Sequence, residues 1–228
     1  VIYLNVADKQ HTIENINLTS LVDCGTAAKL ISKNGVQMLN EKVINSLFFD
    51  KTVLVESEND RLIYELFCQQ RLYSEYQGRC FIGLHGSDTV LNLFDLMKAS
   101  GMSVCCIVDL DFLLSKDLSS TFVNSLNPKL REKHVSFSEV LHERRDYSDI
   151  KKRLKSNGLD FLEGEELDLA KKLIDSYSEY GIYIVPSGEL ESWFDCPGKN
   201  GISSMVSQIQ NEENRFDGLT SFLWDVIS

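Results

Sequence analysis

The fold is decided by residues 52–60, which read TVLVESEND. The run 52–55 is short, with three apolar residues after a β-branched threonine, which is typical of a parallel strand that is buried on both faces. The polar residues after it lead into a pattern of apolar residues at helical spacing that continues to Tyr76. This strand-to-helix step predicts the first half of a βαβ unit.

The same alternation of apolar runs and helical patterns continues along the chain. The predicted strands occupy residues 52–55, 80–84, 102–108 and 181–185, and the predicted helices between the first three occupy residues 59–76 and 89–99. Parallel strands need crossover connections, and helices usually provide them. The sequence therefore predicts an α/β fold, Rossmann-like, with a central parallel sheet flanked by helices and with a helical insertion at about 118–180.

Acidic residues follow each of the four predicted strands. They are Glu56 and Asp60 after the first strand, Asp88 after the second, Asp109 and Asp111 after the third, and Glu189 and Glu191 after the fourth. Ligands of open α/β sheets collect beyond the carboxyl ends of the strands, so we expect these side chains to meet there. Carboxylate oxygens are the ligands that Mg²⁺ prefers.

Each acidic group also has an ordinary structural explanation. Asp60 or Ser57 could cap the helix that begins there, and a lone DxD such as 109–111 is common in loops. Two carboxylates two residues apart on an extended chain point to the same side, where they repel each other unless a cation intervenes. Capping explains one acid but not an acid at four successive strand ends, so the pattern favours a metal site.

Composition limits the other classes of function. The net charge of -11 argues against a general nucleic-acid coat, but residues 129–155 carry nine lysines and arginines against five acids. That basic stretch is compatible with a phosphate-backbone contact, and equally with a solvated helix face. None of the six cysteines forms a CxxC pair, and no apolar run is long enough for a membrane helix, so we expect a cytoplasmic protein with reduced cysteines.

The segment 48–61, FFDKTVLVESENDR, resembles the opening of a TOPRIM domain, and more narrowly that of the overcoming lysogenization defect (OLD) family of nucleases. The resemblance continues through GSD at 86–88, DLD at 109–111 and GELE at 188–191, and covers roughly residues 47–199. It implies a DNA endonuclease that uses two divalent cations, Mg²⁺ or Mn²⁺.

The resemblance also implies roles for single residues. Glu56, Asp60 and Asp111 would bind one cation, Asp109 with Glu189 or Glu191 would help to hold a second, and Asp88 would lie at the rim. Lys199 resembles a lysine that stabilises charge on the phosphate. The candidates for DNA-backbone contacts are the basic residues Arg144, Arg145, Lys151, Lys152, Arg153 and Lys155.

OLD proteins carry an ABC-type ATPase ahead of the nuclease, and this chain has no GxxxxGK[ST] phosphate loop. We therefore expect residues 1–46 to be an N-terminal arm that connects to a missing upstream ATPase, and residues 47–228 to be the TOPRIM nuclease domain. The family resemblance further implies a role in defence against phage and possible homodimers.

Three other classes compete with this interpretation. A haloacid-dehalogenase phosphatase would place its DxD after the first strand, whereas here it follows the third. A topoisomerase or primase would share the acids, but we recognise no tyrosine-bearing cleavage domain and no zinc motif. A noncatalytic module, either receiver-like or a degenerate TOPRIM scaffold, remains the main alternative, because acidic ligands do not guarantee turnover.

Overall fold

The structure is a computed structural model. It describes residues 45–115, 127–144, 147–194, 201–211 and 215–228, together with the backbone of 2–7 and 10–15. The two N-terminal segments form an antiparallel hairpin of β1 (Ile2–Ala7) and β2 (Gln10–Asn15). Most of the predicted arm 1–46 and the start of the predicted insertion lie outside the described residues.

Four strands form the central sheet, and all of them are parallel. They are β3 (Lys51–Val55), β4 (Arg79–Gly83), β5 (Val104–Val108) and β6 (Ile182–Ile184). Their order is β4-β3-β5-β6, so that Val53 lies opposite both Phe81 and Cys105. The parallel α/β sheet predicted from the sequence is confirmed.

Eight helices surround this sheet among the described residues. They are α1 (Glu58–Arg71), α2 (Tyr73–Tyr76), α3 (Ser87–Ala99), α4 (Pro128–His142), α5 (Tyr147–Asn157), α6 (Gly164–Ser178), α7 (Gly201–Asn211) and α8 (Asp217–Ile227). Short 3₁₀ turns follow β5 (Leu110–Leu114), α5 (Gly158–Phe161) and β6 (Leu190–Trp193). None of the described helices is both long enough and apolar enough to cross a membrane.

The prediction of one continuous helix over residues 59–76 was wrong. The chain leaves helical geometry at Leu72, where φ is -129° and ψ is 39°. Leu72 packs into the core with 4% exposure, while the next residue, Tyr73, is exposed. Burial of the leucine side chain therefore accompanies the break between α1 and α2.

The hydrophobic core has two parts, one on each face of the sheet. Leu54 and Cys106 face the part that also contains residues of α3, α4, α5 and α6. Val53 and Cys105 face the other part, which contains residues of α1, α7 and α8. Side chains alternate between the two faces of a strand, so consecutive residues of one strand pack into different parts of the core. Both cysteines are free and buried, as expected for packing residues.

Candidate active site

The loops after β3, β5 and β6 meet at the carboxyl edge of the sheet. Glu56 follows β3 directly and Asp109 follows the neighbouring β5. The backbone N–H of Asp109 donates a hydrogen bond to Oε1 of Glu56 at 3.0 Å. Leu110, next along the chain, donates its N–H to the carbonyl oxygen of Gly188 at 2.8 Å, which joins the loop after β5 to the loop after β6.

A lysine from the helical insertion lies among these acids. Nζ of Lys155 donates to Oδ2 of Asp109 at 2.7 Å and to Oε2 of Glu189 at 3.3 Å. It also lies 3.8 Å from Oδ2 of Asp111, and Nζ of Lys151 lies 3.1 Å from the same oxygen. One ammonium group thus contacts acids that follow two different strands.

The main chain holds Lys155 in place. Gly188 has a φ of +115°, and a Cβ at that position would lie 2.3 Å from the Lys155 carbonyl oxygen. Ser192 donates its hydroxyl to this same oxygen at 2.9 Å. The preceding residue, Leu154, is fully buried in the core. The loop after β6 therefore fixes the end of α5 against the acidic cluster.

Asp60 lies on the other side of the cluster, in the first turn of α1. Ser57 is the N-cap of this helix, and its side chain accepts a hydrogen bond from the Asp60 N–H at 3.1 Å. Capping is thus performed by the serine, and the Asp60 carboxylate is not needed for it. The negative charges of Asp109 and Glu191 act on Asp60, which places all three in one electrostatic environment, although Glu191 is exposed.

Burial, together with repulsion between neighbouring acids, makes the ionised form of three of these acids costly. Burial, and then the charge of Asp109, raises the pKa of Glu56 to about 7. Burial raises the pKa of Asp60 to about 6, against the effect of the Ser57 hydrogen bond. The pKa of Asp109 is also raised, because its burial outweighs the hydrogen bond from Lys155. Burial acts to lower the pKa of Lys155, but its hydrogen bond to Asp109 and the surrounding acids raise it overall.

The residues fit a divalent cation in donor chemistry. Their ligating atoms are carboxylate oxygens, which suit a hard cation. Burial raises the pKa of Glu56, Asp60 and Asp109, so their ionised forms are costly without a positive partner, and a bound cation would favour those forms. In the arrangement described, however, no three acidic, histidine or cysteine side chains of the described residues lie close enough to hold a metal ion. Asp109 and Glu189 instead contact the Lys155 ammonium.

Some predicted site residues lie apart from this cluster. Asp88 is exposed in the first turn of α3, and among the described residues no hydrogen bond or ion pair joins it to the other acids. Lys199 lies outside the described residues, so its predicted role stays a prediction.

The six basic residues that were predicted to contact DNA have different surroundings in the structure. Arg145 lies outside the described residues. Arg144 forms an ion pair with Glu166 at 2.9 Å, and both Arg144 and Arg153 lie over the ring of Phe161. Lys152 and Arg153 are exposed on α5. The prediction that these residues contact DNA remains untested.

The sequence did not indicate that Lys155 reaches the acids. In the sequence, Lys155 stands out only as one of several basic residues of the insertion. Its spacing of four from Lys151 places both lysines on one face of α5, and that is the signal which could have separated them from their neighbours. Nothing local to α5 shows which surface that face meets.

Comparison with known proteins identifies a family domain in part of this chain. None of the curated proteins compared matches it. A family described as "Overcoming lysogenization defect protein-like, TOPRIM domain" matches residues 47–111, a span that includes Glu56, Asp60, Asp109 and Asp111. TOPRIM domains generally cleave nucleic acids and typically use divalent metal ions, which supports a nuclease-type function. The resemblance predicted from the sequence is therefore confirmed over residues 47–111, which match the TOPRIM domain of the OLD-like family.

Proposed function

We propose that this chain is a divalent-metal-dependent nuclease that hydrolyses phosphodiester bonds in DNA, as an endonuclease or a nickase. The observation that carries the proposal is the meeting of Glu56, Asp109 and Glu189 at one edge of the sheet. These acids follow three different parallel strands, and only the first two lie within the matched family segment. The match to a TOPRIM domain supports the same class of reaction.

Two groups of acids would hold the cations. Glu56, Asp60 and Asp111 would hold one ion, and Asp109 with Glu189 or Glu191 would help to hold another. When bound there, Mg²⁺ or Mn²⁺ would activate a water molecule and stabilise the leaving oxygen, so that no protein nucleophile is needed.

The protein groups position this chemistry. The Asp109 amide orients the Glu56 carboxylate through its hydrogen bond to Oε1. Lys151, which is 65% exposed, lies at the solvent side of Asp111 and is placed to attract a phosphate group. The exposed lysines of α5 extend this positive surface away from the acids. A DNA backbone would therefore approach the acids along α5.

The wider setting of the reaction rests on the family resemblance alone. By analogy with OLD proteins, the nuclease would act with an ABC-type ATPase domain upstream, as a homodimer, in defence against phage. The protein would then act in the cytoplasm.

Cleavage of supercoiled plasmid tests the proposal. We expect nicked or linear product with Mg²⁺ or Mn²⁺ and intact plasmid with EDTA. Asp111→Ala should abolish cleavage because it removes a cation ligand, whereas Asp168→Ala, which removes an exposed acid from α6, should leave cleavage unchanged. Circular dichroism would verify that both variants fold. Retained cleavage by Asp111→Ala, or cleavage in EDTA, would contradict the proposed site.

A noncatalytic interaction module is the second candidate, and one observation favours it. Lys151 and Lys155 already contact three of the acids, so the cluster is partly neutralised without a metal ion. This candidate predicts no cleavage under any divalent cation, together with a fold that is as stable in EDTA as in Mn²⁺. The plasmid assay and a thermal unfolding measurement separate the two functions.

A further inference from the structure

The ammonium group of Lys155 contacts the two carboxylates that the proposed function assigns to one of its cations. Its Nζ lies 2.7 Å from Oδ2 of Asp109 and 3.3 Å from Oε2 of Glu189. A divalent cation held by these oxygens would lie close to the ammonium, and two positive charges at that separation repel each other. The ammonium group of Lys155 and a divalent cation therefore cannot both stay in close contact with these carboxylate oxygens.

The position of Lys155 is built into the fold. Its carbonyl oxygen accepts from Ser192 and lies against Gly188, where a glycine without a side chain allows the close approach. Ile150 and Leu154, which precede it on α5, are both fully buried. The backbone of Lys155 is thus anchored beside the acids, and only its flexible side chain is free to leave them.

We propose that Lys155 competes with a divalent cation for Asp109 and Glu189, so that it guards this part of the site until metal binding displaces its ammonium group. The inference rests on the proposed function, because that function supplies the cation. In the absence of metal, Lys155 holds together carboxylates that would otherwise repel each other. When metal binds, the released ammonium lies at the edge of the site, where a phosphate group of the substrate would interact with it.

Metal binding to the purified chain tests this competition without measuring cleavage. Mn²⁺ would be titrated into EDTA-stripped protein by calorimetry, for the wild type and for Lys155→Met, which keeps the side-chain length but removes the charge. We expect the variant to bind Mn²⁺ at least about tenfold more tightly, because the competing charge is gone. Lys155→Arg keeps the charge and should bind no more tightly than the wild type.

Lys171→Met is the matched control, because Lys171 is an exposed lysine of α6 that forms no ion pair with any residue in the described part of the chain. It should bind Mn²⁺ as the wild type does. Thermal unfolding gives a second readout: Lys155→Met should melt lower than the wild type in EDTA and should gain more from added Mn²⁺. If Lys155→Met does not fold, Lys155→Gln serves in its place with the same expected results.

Weaker or unchanged Mn²⁺ binding by the charge-removing variant would overturn the competition. In particular, weaker binding would mean that Lys155 only positions the ligands. If neither protein binds Mn²⁺, the competition is also refuted. The plasmid assay of the wild type decides the nuclease proposal separately, so cleavage with Mg²⁺ and no gain in metal affinity would refute the lysine's role alone.

Discussion

The two sides of the acidic cluster differ in how their charge is compensated. On the side of β3 and α1, no lysine or arginine of the described residues forms an ion pair with Glu56 or Asp60. Their pKa values are raised to about 7 and about 6, chiefly by burial. On the side of β5 and β6, Lys155 contacts both Asp109 and Glu189. We call the first the uncompensated side and the second the compensated side, because among the described residues only the second contains an ion pair that a cation would have to displace.

The origin of the two sides explains the difference. Glu56 and Asp60 lie at a connection between a strand and the helix that follows it, and both belong to the segment that matches the TOPRIM domain. Lys155 belongs to α5, which the chain forms between β5 and β6. The acids are supplied by the strand ends, and the positive charge is supplied by the insertion.

Replacing Glu56 on the uncompensated side should have the largest effect. Glu56→Gln keeps an oxygen that can accept from the Asp109 N–H but removes a cation ligand, so we expect plasmid cleavage to fall on the order of 100-fold or more. The same change removes a buried negative charge that lies near other acids, so the variant should be more stable than the wild type in EDTA. Cleavage rate and thermal unfolding measure the two effects.

Glu179→Gln is a suitable control, because Glu179 is exposed at the end of α6. It should change neither the cleavage rate nor the melting temperature. A Glu56→Gln variant that is less stable than the wild type in EDTA would show that the Glu56 charge is better compensated than the contacts indicate.

Gly188→Ala should break the compensated side. The new Cβ would lie 2.3 Å from the Lys155 carbonyl oxygen, and φ of +115° is unfavourable for alanine. Together, the backbone strain and the overpacking should cost about 3 kcal/mol or more in the free energy of unfolding. Urea denaturation measures this cost.

Gly101→Ala isolates the steric part of that effect. Gly101 also has a positive φ, +77°, but a Cβ there would meet nothing within 4 Å. This variant should lose only about 1 kcal/mol, the cost of the backbone conformation. Equal losses for the two variants would mean that the loop after β6 does not press against α5.

The sequence predicted the sheet well because the strands are marked by local composition. The runs at 53–55 and 104–108 are apolar along their whole length, and the acids that follow them are visible in the same short stretches of sequence. Parallel topology then brings Glu56 beside Asp109 without further information. Most of the central sheet, and the acids at its carboxyl edge, could therefore be predicted from the sequence.

The position of Lys155 was not predictable in the same way. It depends on how α5 packs against the loop after β6, through contacts such as that between Gly188 and the Lys155 carbonyl oxygen. These residues are 33 positions apart, and no local sequence pattern around either one predicts that they are in contact. The break at Leu72 was missed for a related reason, because the apolar pattern of a helix continues through it and the burial of its side chain is visible only in the folded protein.

His134 offers a pH-dependent test of how the helices of the insertion pack against the segment that follows β5. This fully buried side chain lies 2.9 Å from the carbonyl oxygen of Ser115 and 2.6 Å from the hydroxyl of Tyr177. Burial lowers its pKa from 6.5 to about 4. The unfolded chain therefore binds a proton before the folded one does, and stability present above pH 6.5 should be lost as pH falls towards 4, by roughly 2–3 kcal/mol.

Urea denaturation between pH 7 and pH 4 measures this loss. His134→Gln should show a shallower decline than the wild type, whereas His85→Gln, which replaces an exposed histidine, should show the same decline. Parallel curves for His134→Gln and the wild type would mean that His134 is able to ionise within the folded protein.

The solvent-facing residues of α5 should give the smallest effect. Lys152 and Arg153 are exposed and form no ion pair with the acids in the described part of the chain, so their charge is available to a phosphate backbone. Removing both with alanine should weaken DNA binding in EDTA by about tenfold or less and reduce the slope of log affinity against log salt by up to about 2. Lys171→Ala with Lys172→Ala removes the same charge from exposed positions on α6. If this control pair weakens binding equally, the attraction comes from the total number of positive charges on the chain, and the position of Lys152 and Arg153 on α5 has no special part in it.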